Sequence, residues 1–143
     1  MSVTRQPPVH HPELSPGKDY RSRIARVRAG ISVAEAIDLM TAWSIPVARF
    51  AAILGTSSRN WSRVRKSRNG VVLNPVESDR FSRVHQVLEH ASTVFDTDDQ
   101  AVAWLSLPNR ALSGDTPLAL LDTDAGVRAV DAALTRLEHG VFA

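Results

Sequence analysis

Chemistry in this 143-residue chain would have to come from five histidines, fifteen carboxylates and a few serine–glycine contexts, and their spacing argues against it. His85 and His90 stand five apart in a helical stretch and point in different directions, unlike the four-apart pair that seats zinc. His139 stands far along the chain from both. His10-His11 forms a pair in a proline-rich stretch with no further ligands, which reads as solvated. Asp96, Asp98 and Asp99 resemble a fragment of a calcium loop, but the central glycine and the distant glutamate are missing. Gly114 and Gly126 are isolated, so no phosphate-cradling loop forms, and Ser113-Gly114 lacks the strand-to-helix setting of a nucleophile elbow. For each group the ordinary reading is a cap, a turn or solvated surface. The chain is expected to be no enzyme, with no catalytic residue, no metal and no cofactor.

Basic residues carry a better-supported chemistry. A helix-turn-helix needs a small residue where its helices cross, a glycine free to take positive φ in the turn, and apolar anchors beneath the second helix. Ala51, Gly55, Trp61 and Val64 meet those demands. The second helix then turns Ser58, Arg59, Asn60 and Arg63 outward, with Lys66 and Arg68 near its end. Arginine and asparagine make bidentate contacts to guanine and adenine edges, and a recognition helix presents them from its first turns. Arg21, Arg23, Arg26 and Arg28 upstream are expected to meet phosphates. Two half-sites would imply a homodimer. The competing reading is an ordinary helical hairpin with a solvated basic face.

The elements that position these groups are helical throughout. Ser32 and Glu35 have the spacing of a capping box and open a helix carrying Ala36, Ile37, Met40 and Trp43. Pro46 starts another through Phe50, Ala51, Ile53 and Leu54, ending at Gly55. Thr56 or Ser57 caps a third, running to about Ser67. Asn69-Gly70 marks a turn; Val71-Val72-Leu73 follows, but with nothing alternating before the turn a connecting loop is expected there. Asn74-Pro75 begins a long helix whose Phe81, Val84, Leu88, Ala91 and Phe95 step by three and four. Thr97 caps a helix with Val102, Trp104 and Leu105, and its two aspartates suit the positive helix end. Thr116-Pro117 and Thr123-Asp124 repeat the cap logic, and a last helix with Val127, Val130, Leu134 and Leu137 stops at Gly140. The fold class expected is all-α. Residues 1–20, with Pro7, Pro8, Pro12, Pro16 and Gly17, read as a flexible arm, 21–70 as a helix-turn-helix unit and 71–143 as a second helical unit.

The net charge of +2 conceals a division. Up to Gly70 there are twelve Lys and Arg against four Asp and Glu; beyond it there are five against eleven. Opposite halves suggest two partners of opposite sign. Without cysteine, disulfides and thiolate metal sites are excluded and a reducing compartment fits. No apolar run reaches membrane-spanning length and the first twenty residues lack a signal core, so a cytoplasmic protein is expected, with no membrane partner.

The densest unusual sequence lies late. Glu77-Ser78-Asp79-Arg80, Trp104-Leu105 with Pro108-Asn109 and Ala111-Leu112, Thr116-Pro117-Leu118, and the ending His139-Gly140-Val141-Phe142 occur in that order. Together they resemble the Xre/ParS/MbcA-type antitoxins, partners of RES-domain toxins, most strongly over residues 77–143; residues 24–68 look like that family's helix-turn-helix part. The resemblance implies an antitoxin whose C-terminal domain binds an NAD-degrading toxin and blocks its active site, in a complex that represses its own operon. Where family members often carry a second glycine or a polar residue, this chain has Ser113. Carried onto this sequence, the toxin-facing residues fall between Trp104 and Leu121 and in the tail, with Pro108, Asn109, Arg110, Arg136, His139, Gly140, Val141, Phe142 and Ala143 the candidates. Trp104, Leu112 and Leu121 are expected in the core, and Phe142 as an apolar anchor at the interface. The acidic residues Asp115, Asp122, Asp124, Asp131 and Glu138 suit a toxin cleft that holds dinucleotide phosphates. The alternative is a stand-alone helix-turn-helix repressor whose acidic half dimerises or senses a ligand.

Overall fold

The computed structural model describes residues 20–67 and 70–140. The arm expected over 1–20, apart from Tyr20, and Arg68, Asn69 and Val141 to Ala143 therefore lie outside the described residues. Seven α-helices follow in order: α1 (Tyr20–Ala29), α2 (Val33–Ala42), α3 (Val47–Leu54), α4 (Ser58–Val64), α5 (Pro75–Val94), α6 (Asp98–Ser106) and α7 (Asp124–Glu138). Short 3-10 turns at 65–67, 110–112 and 117–120 complete the described chain. The all-α class is what the sequence led us to expect, and among the described residues no strand occurs.

Most helix starts are made by the residues whose chemistry suits them. Ser57, Thr97, Thr116 and Thr123 each accept the amide three residues on. Each bond satisfies one of the donors that a first turn leaves open. The most complete start is at α5. Asn74 accepts from the Glu77 amide at 2.8 Å, the Glu77 carboxylate accepts from the Asn74 amide at 3.2 Å, and Pro75 fills the first helical position, where its missing N–H is no loss. At α2 the amide half of the expected box is made, Ser32 accepting from Glu35 at 3.1 Å. The Glu35 carboxylate is drawn to the Arg26 guanidinium, 2.6 Å away, because a charge-assisted bond outcompetes a neutral one.

Two elements differ from sequence expectation. Helix α1 has no buried residue, so it offers no apolar stripe to read; it packs against α5 and is tied to α2 by the Arg26–Glu35 pair. Val71-Val72-Leu73 is a connection, as expected, but it also forms an isolated antiparallel bridge between Val72 and Ser32. The Leu73 amide donates to Ile31 at 2.7 Å and the Val33 amide to Val71 at 2.9 Å. The partner segment lies some forty residues away, not across the Asn69-Gly70 turn.

Helix α5 sits at the centre, touching α1, α3, α6 and α7. One continuous core joins Ile31, Phe50, Trp61 and Leu73 to Leu88, Leu105, Leu121 and Leu134. Helices α5 and α7 run in the same direction, because Arg83 meets Asp124 while His90, one further stretch along, meets Asp131 and Glu138. A parallel pair needs a long return, supplied by α6 and the two 3-10 turns. At the close of that return Gly126 lets α7 press on the previous segment: a Cβ there would collide with the Leu120 carbonyl.

Ser78 is wholly buried and joins three segments. The Ile31 amide donates to its Oγ at 3.0 Å, and its hydroxyl donates to the Leu73 carbonyl at 3.2 Å. Replacing Ser78 by Ala leaves one of these bonds' buried partners open at each end, a loss of about 1–3 kcal/mol. Urea denaturation of Ser78→Ala should show that loss; a midpoint equal to wild type would contradict it.

Candidate functional site

Helices α3 and α4, joined through Gly55, are the pair expected to form a helix-turn-helix. Trp61 is 1% exposed and Phe50 fully buried, their ring centroids 5.2 Å apart, and this pair sets the rotation of α4 on the core. Ala51 is buried where the helices cross. Gly55 ends α3 at φ 79°, and the Arg80 guanidinium of α5 lies so close that any Cβ would strike it. A glycine is needed there for its backbone conformation, whereas the exposed tip of the Arg80 side chain could move aside for a Cβ. A cation at the C-terminal end of α3 also suits the helix dipole.

With the Trp61 side buried, Ser58, Arg59, Arg63 and Lys66 are exposed and Asn60 is half-buried. These five expected DNA-facing residues share the outer side of α4 and the 3-10 turn after it; Arg68 lies outside the described residues. Asn60 is held on both sides of its amide: its Nδ2 donates to Thr56 Oγ1 at 2.8 Å, and its Oδ1 accepts from Arg63 at 2.7 Å. Of the four upstream arginines expected at phosphates, Arg21 and Arg28 are exposed. Arg23 and Arg26 are half-buried, and Arg26 is held by Glu35.

In the second unit the candidates fall on two exposed places. The first is the loop after α6, where Leu107, Pro108 and Arg110 are exposed. Asn109 organises it: its side chain accepts from the Ala111 amide at 2.9 Å, and its carbonyl accepts from Leu112 and Gly114. Ser113 has φ 57° and Gly114 φ 85°, two successive left-handed residues. That conformation explains why glycine suits position 113 and why a serine there carries some strain. The second place is the end of α7, where Arg136, Leu137, His139 and Gly140 are exposed; Val141, Phe142 and Ala143 lie outside the described residues. Leu112 and Leu121 are in the core as expected, and Trp104 is half-buried against Phe95, ring centroids 5.7 Å apart.

Much of the acidic character is directed inward. Asp124, Asp131 and Glu138, spaced by seven along α7, face α5. Asp124 pairs with Arg83 at 3.1 Å and with Arg128 at 2.9 Å. His90 is gripped by both others, Nδ1 at 2.7 Å from Asp131 and Nε2 at 2.6 Å from Glu138. Of the five acidic residues expected at a basic partner, Asp115 and Asp122 are exposed outside these pairs. Sequence reasoning missed this clasp, although the seven-residue spacing of the three acids on one helix was a readable signal. Partial burial lowers the His90 pKa, but the hydrogen bonds and charges of Glu138 and Asp131 outweigh it, holding the imidazole above its usual value. The His90 hydrogen bond holds Glu138 below the usual carboxylate range. Among the described residues no cluster of metal-binding side chains occurs, and no helix is long and apolar enough to cross a membrane.

Comparison with known proteins gives two matches in one chain. Residues 22–84 match the antitoxin Xre-like helix-turn-helix domain, and residues 90–140 the antitoxin Xre/MbcA/ParS C-terminal toxin-binding domain. A protein named Antitoxin Xre from Yersinia enterocolitica is 36% identical over 118 residues, which span 81% of this chain and 78% of the relative. Another Antitoxin Xre, from Photorhabdus laumondii, is 34% identical over 90 residues, 62% of this chain and 60% of its own. A third, from Pseudomonas putida, is 36% identical over 64 residues, 45% of this chain and 40% of its own.

The C-terminal match begins at His90, so the clasp holds the matched segment's first residue to its last helix. An imidazole raised from 6.5 stabilises the fold fully below that value and loses its contribution as pH rises through the raised one. A carboxylate lowered from 4.5 contributes above that value and loses its contribution as pH falls. The clasp is therefore strongest between about pH 4.5 and 6.5. Urea midpoints measured at pH 6 and pH 9 should fall more steeply for wild type than for His90→Gln; parallel slopes would refute the clasp.

Proposed function

The chain belongs to the Xre antitoxin family, and we propose that it neutralises a RES-domain, NAD-degrading toxin by covering the toxin's active site, and represses its own operon by binding DNA. The observation that carries this reading is the order of the two matches in one chain, a helix-turn-helix domain followed by a toxin-binding domain. The resemblance at Trp104-Leu105, Pro108-Asn109, Thr116-Pro117 and the His139-Gly140 ending supplies the toxin class. We assign 1–20 to an arm, 21–70 to DNA binding and 71–143 to the toxin. The protein acts in the cytoplasm as a homodimer, in a hetero-oligomer with the toxin, and catalyses nothing itself.

The toxin-facing residues in this reading are Pro108, Asn109 and Arg110 in the loop after α6, together with Arg136, His139 and Gly140 to Ala143. Exposure at both places supports the assignment. So does Leu107, 59% exposed beside the loop, since apolar side chains left in water at a loop tip suit a contact surface. The acidic contribution falls to Asp115 and Asp122, because Asp124, Asp131 and Glu138 are engaged within the chain.

The DNA-facing side is tested by Arg59→Ala with Arg63→Ala, which removes two exposed guanidinium groups and no core contact. Gel shifts against the DNA upstream of its own gene should show binding lost, with the circular-dichroism melt unchanged. Retained affinity would remove the DNA-binding half of the proposal.

For the toxin, the full chain should co-purify with a RES-domain toxin encoded beside it, and cells expressing both should keep their NAD. Removing residues 140–143 should impair that protection more than it impairs folding. Full protection by the shortened chain would exclude the tail, and failure of the full chain to co-purify would favour a stand-alone repressor.

A further inference from the structure

We propose that Asn60 is a positioning residue for Arg63 and reads no base itself, so that base selection by α4 rests on Arg63 and hence on a guanine. The proposal depends on the reading of α4 as DNA-facing given above.

An asparagine that reads adenine must offer Oδ1 to the N6 amino group and Nδ2 to N7 at the same time. In this structure both atoms are committed. Nδ2 donates to Thr56 Oγ1 at 2.8 Å and Oδ1 accepts from Arg63 Nη2 at 2.7 Å. The orientation of the amide follows from its partner, because a guanidinium only donates and the atom facing it must be the oxygen. Turning the amide toward a base would break a charge-assisted bond, among the stronger kinds in a protein.

The restraint reaches back into the body of the fold. The Thr56 amide donates to the Ala51 carbonyl at 3.0 Å, so Thr56 is fixed to the end of α3, where Ala51 is buried. The Asn60 amide is bonded to Ser57 Oγ at 3.0 Å, and its neighbour Trp61 is anchored against Phe50. A relay therefore runs from the backbone of α3 through Thr56 and Asn60 to one nitrogen of Arg63. The guanidinium has five N–H donors in a rigid plane. One is used by Asn60, which leaves enough for the two-bond contact to O6 and N7 of guanine. Arg59, one turn earlier on the same exposed side, makes no hydrogen bond or ion pair with another described residue. An arginine held in place before binding loses less freedom on contact and discriminates better; a free one suits the phosphate backbone. Position 63 thus carries selection and position 59 carries affinity.

The test uses the full chain and a duplex that wild type selects from a randomised DNA pool, with every single-base variant of that duplex, measured at two salt concentrations. Arg63→Ala should erase discrimination at one guanine. Asn60→Ala should lower discrimination at that same guanine by about tenfold, and leave adenine positions and the salt slope as in wild type. Asn60→Asp, which keeps the acceptor, should restore the guanine ratio. The Asn60→Ala/Arg63→Ala double variant should discriminate no worse than Arg63→Ala alone, as expected for residues acting as a unit. Folding is not at risk, since the half-buried Asn60 side chain bonds only Thr56 and Arg63 and the helix cap comes from Ser57. Lost discrimination at an adenine in Asn60→Ala, additive losses in the double variant, or an Asn60→Ala profile equal to wild type would each overturn the positioning role while leaving DNA binding in place. Failure of wild type to select any sequence would overturn both.

Discussion

A buried hydroxyl holds together the crossing on which the rest of the molecule is built. Ser78 accepts from Ile31 and donates to Leu73, and those residues are themselves joined backbone to backbone. The chain enters α2 and later returns to α5 through one small knot, in which the Ile31 and Leu73 backbone groups and the Ser78 hydroxyl bond one another. Were the hydroxyl absent, a buried amide and a buried carbonyl would be left open in the same place. Because the knot sits in the first turn of α5, it also fixes where that helix begins and which of its faces meets α1 and α3. The Arg80 guanidinium over Gly55 and the burial of Phe81 follow from that register, two and three residues further on.

Charge in this protein is used internally before it is offered outward. The acidic half spends Asp124, Asp131 and Glu138 on holding α7 beside α5, and the basic half spends Arg26 on holding α1 to α2. These pairs are partly exposed, where an individual ion pair adds little; their value lies in fixing direction, since a parallel pair of helices has no short turn to hold it. What is left for partners is smaller than the raw count implies. On the basic side Arg59, Arg63 and Lys66 remain exposed on α4 and the turn after it, and on the acidic side Asp115, bonded to the Asn109 loop, and Asp122 remain exposed.

How much was legible in the sequence follows the range of the interaction. Caps at Asn74, Thr97, Thr116 and Thr123 act over three residues and could be read from residue type alone, whereas residue type left Thr56 and Ser57 open and the structure gives Ser57. The Gly55 turn and the buried Trp61 were equally readable, because helical spacing dictates which side of α4 faces the core. Helix α1 was not, since its anchors are Glu35 and α5 and its own residues carry no apolar stripe. The Ser78 knot spans 47 residues and the His90 clasp 41 and 48; the seven-residue spacing of the acids on α7 marks one side of the clasp, but no local pattern names the partner across such a distance. Asn60 is the instructive middle case. Its partners stand four before and three after it, at helical spacing, yet residue type alone pointed to adenine.

The two surfaces are joined by the helix that separates them. Arg80 rests over the turn of the helix-turn-helix, and His90 grips the end of α7; ten residues part them on α5, about 15 Å of continuous helix. No glycine or proline interrupts that stretch, and Val84, Val87 and Leu88 within it are buried, so it has no hinge. The end of α7 is therefore referred to the turn beneath α4 through one stiff element and not through a linker. A core shared between both units, with Phe81 and Leu134 in one cluster, has the same consequence. Anything that grips the α7 end takes hold of a body to which the outward arginines of α4 are rigidly attached, and the distance between the two surfaces is a property of the fold.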